Sequence, residues 1–195
     1  MGHCLVALFF CTMNRMMGTI AIGCPLSSVP QWIEMLERHR KADLFERGDT
    51  LIALGGMTWN KFKSQMKDKI DMEKIKAVND LWNQRPWKAD RKNWGIEDKW
   101  ATPLEFCMKG GDCEDYATAK MLSLKALDVQ CPMRLAIGEV NGKGHAVLAV
   151  EIDGRILILD NEHKELINAD KYPMKLRLSL NEEKVWGHMQ AKQVK

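Results

Sequence analysis

The stretch Gly110-Gly111-Asp112-Cys113-Glu114-Asp115-Tyr116-Ala117 marks the start of a helix that carries a cysteine in its first turn. The two glycines permit a tight approach of the chain, Asp112 can cap the helix, and apolar residues continue at helical spacing to about Leu127. Unpaired backbone N–H groups and the helix dipole favour an anion at this end, so a thiolate is stabilised there. Cys113 is therefore a candidate nucleophile, although most buried cysteines are inert.

Composition describes an ordinary globular chain. The 195 residues carry 29 basic and 26 acidic side chains, a net charge of +3, and 46% of them are apolar. This length predicts one domain, and the absence of a block of like charge gives no support to nucleic-acid binding. The six cysteines include no C-x-x-C pair and no zinc-finger spacing with histidine, so a structural zinc site is not indicated.

The first 26 residues differ from the rest. They are apolar on both sides of Arg15, and Arg15 interrupts a run that would otherwise be long enough to cross a membrane. We interpret residues 1–26 as a signal or leader segment that is removed on export, which leaves 27–195 as a single domain that does not span a membrane. The alternative is an apolar N-terminal helix packed on the domain.

Helical patterns precede strand patterns along the chain, which is typical of an α+β fold with N-terminal helices packed on an antiparallel sheet. Helices are predicted over 30–47, 58–69, 71–84 and 113–127. Strands are predicted over 133–140, 145–152, 155–160 and 175–180. Two of the central strands are apolar on both faces, so we expect the sheet to be covered on both sides.

The Asp153-Gly154 turn predicts the register of a hairpin. With a two-residue loop, Ile152 faces Arg155, and His145 and Asp160 become diagonal neighbours on one face. Such neighbours lie about 7–8 Å apart, within reach of long side chains, unless a bulge shifts the register. A cysteine nucleophile, a histidine base and an orienting carboxylate would together form an acyl-transfer site. Placing Cys113 against this pair is a further assumption, and each residue alone more often has a purely structural role.

Several motifs resemble one known family. The runs 100–106 and 111–117, then Gly144-His145-Ala146-Val147-Leu148 and Leu159-Asp160-Asn161, stand in the order Cys, His, Asp. They are similar to blocks of the bacterial transglutaminase-like cysteine proteinases, in particular the LapG type, which are periplasmic proteases that release biofilm adhesins. The resemblance covers roughly residues 74 to 165, and its motifs are far more specific than a lone Gly-Asp-Cys.

The resemblance implies a papain/transglutaminase-like core with Cys113, His145 and Asp160 as the triad. It implies cleavage of a large surface adhesin in its N-terminal region, near paired alanines. It also implies a periplasmic location and binding to an inner-membrane cyclic-di-GMP receptor of the LapD type. A transglutaminase that transfers the acyl group to an amine, and a non-catalytic binding module on the same fold, are the alternatives.

The resemblance also implies a calcium site. In LapG-type proteins the positions that match Asp112 and Glu114 bind Ca²⁺, and carboxylate oxygens beside a glycine-rich turn suit this ion. Calcium takes about 6–8 oxygens, so backbone carbonyls or waters must complete the shell. From the sequence alone, acidic residues in a first helical turn, Asp115 included, are explained by the helix dipole.

Overall fold

Helices precede most of the strands in the computed structural model, which describes residues 12–53 and 56–190. The helices are α1 (Pro30–Lys41), α2 (Leu44–Arg47), α3 (Trp59–Met66), α4 (Asp71–Asn83), α5 (Asp90–Trp94), α6 (Pro103–Lys109) and α7 (Cys113–Ala126), with 3-10 turns at Thr12–Asn14, Leu26–Ser28 and Ala169–Lys171. The strands are β1 (Thr19–Cys24), β2 (Leu51–Ala53), β3 (Met57–Thr58), β4 (Met133–Val140), β5 (Lys143–Ile152), β6 (Arg155–Leu159), β7 (Ile167–Asn168), β8 (Met174–Leu180) and β9 (Val185–Gln190). The α+β class predicted from the sequence is confirmed.

Seven of these strands form one antiparallel sheet in the order β1-β9-β8-β4-β5-β6-β7. Strands β2 and β3 form a separate two-stranded ribbon. Apolar side chains cover both faces of the large sheet, as predicted. Helix α7 packs on one face around Leu135, Leu148 and Val150, with α4 packed against α7, and a second cluster with Ala136 and Val147 lies on the other face.

The hairpin register is also confirmed. Ile152 pairs with Arg155, and the ladder between β5 and β6 runs back to the pair Leu148 and Leu159. It ends there, so Asp160 leaves the sheet at the start of a loop. β5 extends beyond its last pair with β6 at Leu148 and carries His145 in this extension. The histidine therefore lies at one end of the sheet, beside the loop that begins with Asp160.

Two helical regions differ from the sequence prediction. The single helix predicted over 30–47 is two helices, because Asp43 accepts a hydrogen bond from the Phe45 N–H and starts α2. The connection over 85–104 contains α5 and the start of α6. A five-residue helix is too short to show periodicity, whereas the Thr102 cap of α6, which bonds the Glu105 N–H, is a recognisable signal.

The described part of the predicted leader is built into the fold. Residues 1–11 lie outside the described residues, whereas β1 pairs with β9 from Thr19 opposite Gln190 to Cys24 opposite Val185. Where the mature chain begins stays a prediction. Within residues 12–53 and 56–190, no helix has the length and apolar character needed to cross a membrane.

Candidate active site

The start of α7 is built around a buried carboxylate. Asp115 is 1% exposed, and its side chain accepts hydrogen bonds from the N–H groups of Ala101 (2.6 Å) and Asp112 (3.2 Å). A Cβ on Gly111 would lie 1.9 Å from this carboxylate, so only glycine fits there. Asp115 therefore does more than compensate the helix dipole, because it fixes the backbone that presents Cys113 as the first residue of α7.

The Cys113 thiol lies beside two acidic side chains. Its S–H donates to Glu114 Oε2 at 3.3 Å. Burial, and then the carboxylates of Glu114 and Asp112, raise the pKa of this thiol, and the Ala146 N–H acts in the opposite direction. The stabilisation of a thiolate that the helix start predicts is thus outweighed by burial and by the two acidic neighbours.

His145 and Asp160 meet at the end of the hairpin. His145 Nε2 lies 2.9 Å from Asp160 Oδ1. An ionised carboxylate only accepts, so Nε2 carries the proton and Nδ1 is left with a free lone pair. The imidazole and the carboxylate that the register predicted on one face are in direct contact.

Each carboxylate oxygen of Asp160 accepts two hydrogen bonds. Oδ1 also accepts the Glu162 N–H at 3.0 Å, while Oδ2 accepts His163 Nδ1–H at 2.8 Å and the Tyr172 hydroxyl at 2.7 Å. Burial alone would raise the pKa of Asp160, but the hydrogen bonds from His145, Glu162 and Tyr172 lower it well below its usual range. The carboxylate is therefore a fixed anion behind the histidine.

Cys113 and His145 line one cleft, with Asp160 behind the histidine. The cleft has a volume of about 540 Å³, and its lining also includes Trp87, Gly144 and Glu162. The Trp87 side chain is 60% exposed at this site. The structure thus brings together the three residues that the sequence singled out as nucleophile, base and orienter.

Three carboxylates cluster beside Cys113. Asp90, Asp112 and Glu114 each offer an oxygen, and these oxygens lie within 4.8 Å of one another. Burial raises the pKa of Asp90 to about 6, and burial together with the proximity of Asp112 raises that of Glu114 to about 10. Asp90 Oδ1 and Asp112 Oδ1 are buried and have no hydrogen-bond partner within the described residues. Oxygens placed in this way suit a hard divalent cation.

The sequence was compared with known protein families and solved structures. A profile described as bacterial transglutaminase-like cysteine proteinase matches residues 57–194, more than two thirds of the chain. The chain belongs to this family. A comparison with curated proteins gives no match.

Solved structures of LapG from Legionella pneumophila share the fold of this transglutaminase-like cysteine protease. One is 28% identical, covering 66% of this chain and 75% of that chain, with a TM-score of 0.59. An EGTA-treated LapG is 26% identical over 70% of this chain and 80% of its own, also with a TM-score of 0.59. A calcium-bound LapG is 24% identical and shares the fold, with a TM-score of 0.59; the match covers 80% of this chain and 87% of that chain. The prediction of a LapG-type cysteine protease fold is confirmed.

Sequence reasoning on this transglutaminase-like protease missed Asp90, His163 and Tyr172. Asp90 lies in the connection over 85–104, which carries Trp87, Trp94 and Trp100 and shows no periodicity in the sequence. Long connections without periodicity are often functional, and this length is the one signal that could have found Asp90. His163 follows Asp160 by three residues, so a tight turn could have suggested their contact. Tyr172 reaches Asp160 from beyond β7, a contact that no local pattern encodes.

Proposed function

We propose that the chain is a calcium-dependent cysteine endopeptidase that acts in the periplasm on the N-terminal region of a large surface adhesin. Membership of the protease family supports the reaction class, and likeness to LapG supports the substrate class. The observation that carries the proposal is the common cleft of Cys113 and His145, with His145 Nε2 held 2.9 Å from Asp160.

The residues have distinct roles in this reaction. His145 Nδ1 takes the thiol proton as Cys113 Sγ attacks the scissile carbonyl, and the backbone N–H at the start of α7 donates to the oxyanion. The amine leaves with the proton from the imidazolium, and an acyl-enzyme forms. Water then attacks the thioester carbonyl while His145 takes its proton, the C–S bond breaks, and the carboxylic acid product leaves. His145 returns the proton to Cys113 Sγ, which restores the thiol. Asp160 fixes the tautomer and stabilises the imidazolium throughout.

The cleft has room for an extended segment of a protein. A Cβ built on Gly144 meets no atom within 4 Å, so the cleft beside His145 has open space. Trp87 offers an exposed apolar surface on which a peptide can rest. A segment with paired alanines, as expected from the LapG type, combines small side chains with an apolar character.

Asp90, Asp112 and Glu114 would hold the calcium ion. The donor set fits, because two buried carboxylate oxygens have no other partner among the described residues and all three groups repel one another. Bound calcium would neutralise these carboxylates and so remove the negative charge that raises the pKa of the Cys113 thiol.

A cyclic-di-GMP receptor of the LapD type is the proposed regulator. Its support is likeness to LapG. The test is co-elution of the purified chain with the periplasmic domain of such a receptor in gel filtration, with calcium and with EGTA. Separate elution under both conditions would reject this part of the proposal, and the periplasmic location is tested by cell fractionation.

The central experiment compares Cys113→Ala with Cys107→Ala. Cys107 is buried, and its thiol donates to the Leu51 carbonyl at 3.0 Å, so this variant controls for loss of a cysteine. We expect Cys113→Ala to abolish cleavage of an adhesin N-terminal fragment and Cys107→Ala to retain it. Undiminished cleavage by Cys113→Ala rejects the protease mechanism. Mass spectrometry of products formed with an added primary amine distinguishes hydrolysis from transglutamination.

A further inference from the structure

Gly138 on β4 pairs directly with His145 on β5. Two positions further along the same ladder, Ala136 pairs with Val147, and both belong to the apolar cluster on the second face of the sheet. Because side chains alternate between the faces of a sheet, His145 and the missing side chain of Gly138 belong to that same face. The Cβ atoms of directly opposed residues lie about 4.5–5.5 Å apart. Any side chain at position 138 would therefore be a direct neighbour of the imidazole.

Strand β8 occupies the space that a side chain at position 138 would need. A Cβ on Gly138 would collide with the Lys175 carbonyl oxygen and would lie 2.9 Å from Met174 Cγ and 3.0 Å from Leu176 Cα. Two of these three atoms belong to the backbone, which cannot move aside as the end of a flexible side chain can. Glycine within a strand often marks such a close approach of another backbone. The position of β8 thus depends on glycine here.

This close approach occurs at a β-bulge. The ladder between β4 and β8 pairs Ile137 with Leu178. The next pair joins Gly138 to Leu176, so Arg177 is left over as an extra residue on β8. A bulge bends the strand that contains it, and bulges are over-represented beside active sites. The bend brings the beginning of β8 against Gly138.

The segment that leads into β8 also holds Asp160. Tyr172 lies two residues before β8, is 5% exposed, and donates a hydrogen bond from its hydroxyl to Asp160 Oδ2 at 2.7 Å. The other oxygen of this carboxylate, Oδ1, accepts from His145 Nε2 at 2.9 Å. Gly138 is thus linked to both members of the pair. It faces His145 across the ladder, and its missing side chain admits the strand that delivers Tyr172 to Asp160.

We propose that Gly138 is a positioning residue for the pair of His145 and Asp160. The absence of a side chain lets the beginning of β8 lie opposite His145, and this placement carries the Tyr172 hydroxyl to the Asp160 carboxylate. A side chain at position 138 pushes β8 away and draws the hydroxyl from the carboxylate. Gly138 acts on the reaction only through these neighbours. This inference rests on the proposed protease function.

The test is a double-mutant cycle on Gly138→Ala and Tyr172→Phe. Each single variant should lower kcat on an adhesin N-terminal fragment by about tenfold with KM unchanged, because each loses a hydrogen bond to a charged group. The double variant should be within about twofold of the slower single variant, because Gly138→Ala acts through a hydroxyl that is already absent. Losses that multiply would overturn the proposal, since they are the result expected of a glycine that only supports the fold. An unchanged kcat in Gly138→Ala would overturn it as well.

Gly187→Ala is the matched control. Gly187 lies in β9 of the same sheet, and a Cβ there would meet only Cys24 Sγ, at 3.4 Å, which is an ordinary contact. This variant should leave kcat unchanged. Should Gly138→Ala fail to fold, Met174→Ala takes its place in the cycle, because it empties the same space from the side of β8. Its loss of kcat should likewise fail to multiply with that of Tyr172→Phe, and multiplied losses would again reject the proposal.

A measurement without substrate separates this inference from the proposed function. In protein labelled with ¹⁵N-histidine, the His145 Nε2–H proton reports the hydrogen bond to Asp160, and its absence in His145→Gln assigns it. Its NMR resonance should shift in Gly138→Ala and in Tyr172→Phe and stay in place in Gly187→Ala. An unshifted resonance in Gly138→Ala overturns the inference even if the chain is an active protease. A wild-type chain that cleaves nothing, yet shows these shifts, rejects the protease function and retains the positioning role.

Discussion

His145 Nε2 lies 2.9 Å from Asp160 Oδ1, although His145 lies on β5 and Asp160 follows the end of β6. The contact follows from the two-residue turn at 153–154, which fixes the pairing of β5 with β6. Because Nε2 is engaged in this way, Nδ1 is the only ring nitrogen that can serve as a base. The turn therefore decides that Nδ1, and not Nε2, is left to accept a proton.

Asp160→Asn tests this orientation. The amide nitrogen of asparagine can donate to Nε2 and so favour the tautomer with its proton on Nδ1. We expect kcat for peptide cleavage to fall by about 10³–10⁴-fold, as for other triads in which the tautomer is wrong. His163→Ala is the control, because His163 also bonds Asp160 but its side chain is 52% exposed. A loss of less than tenfold in Asp160→Asn would contradict the assigned role.

Asp90→Asn tests the calcium site. Removing one of three clustered carboxylates should weaken Ca²⁺ binding at least tenfold in isothermal titration calorimetry of EGTA-treated protein. Saturating calcium should raise the melting temperature of the wild type and have little effect on the variant. Glu97→Gln, a highly exposed neighbour, should bind calcium as the wild type does. Equal affinity in Asp90→Asn and the wild type would remove Asp90 from the site.

Trp87→Ala tests the substrate cleft. The indole is 60% exposed beside Cys113 and His145, so its loss should remove apolar contact with the peptide and leave the reacting groups in place. We expect KM to rise about tenfold, equivalent to about 1.4 kcal/mol, with kcat within twofold. Ile96→Ala, 50% exposed and outside the cleft lining, is the control. A fall in kcat with unchanged KM would argue against a binding role.

The pH dependence of stability depends in part on His188. Its ring nitrogens lie 2.7 Å from Thr19 Oγ1 and 2.8 Å from Ser179 Oγ, and burial, assisted by the charge of Arg134, lowers its pKa from 6.5 to about 4. As the pH falls, the His188 ring takes up a proton in the unfolded chain before it does so in the folded chain. The contribution of His188 to the free energy of unfolding is therefore complete above pH 6.5 and falls by up to about 3 kcal/mol as the pH approaches 4. Urea unfolding at pH 7, 5.5 and 4 measures this loss, and the free energy of unfolding should fall less in His188→Gln than in the wild type. An identical dependence on pH in the two proteins would exclude His188 as the cause.

Gly111→Ala should destabilise the start of α7. The new Cβ would lie 1.9 Å from Asp115 Oδ2, so the carboxylate that holds the Ala101 and Asp112 amides must shift. Overpacking of this kind costs about 1–3 kcal/mol in the free energy of unfolding. Gly23→Ala, where a Cβ meets nothing within 4 Å, should change stability little. Thermal denaturation of both variants measures the difference.

The sequence predicts those features that depend on local pattern. The 153–154 turn predicts the hairpin register, and the register predicts that His145 and Asp160 share a face. Asp90 was not predicted, because its approach to Asp112 depends on how the connection over 85–104 folds back onto the start of α7. A parallel backbone bridge between Trp87 and Gly111 holds the connection against the start of α7, and no sequence periodicity predicts this contact.

The electrostatics of Cys113 show a second limit of sequence reasoning. A cysteine at a helix start predicts a stabilised thiolate from the dipole alone. Burial of the thiol, and then the charges of Glu114 and Asp112, raise its pKa instead. Adjacent acidic residues should therefore be weighed against the dipole wherever a helix begins with a cysteine.

The pairing of β1 with β9 has a practical consequence for recombinant protein. β9 lies between β8 and β1, so a shortened protein that starts after Cys24 would leave one side of β9 with unpaired N–H and C=O groups. A bare strand edge recruits strands from other molecules. Such a truncated protein should self-associate more strongly than one that retains Thr19–Cys24, so the choice of the first residue decides whether measurements are made on single molecules or on aggregates.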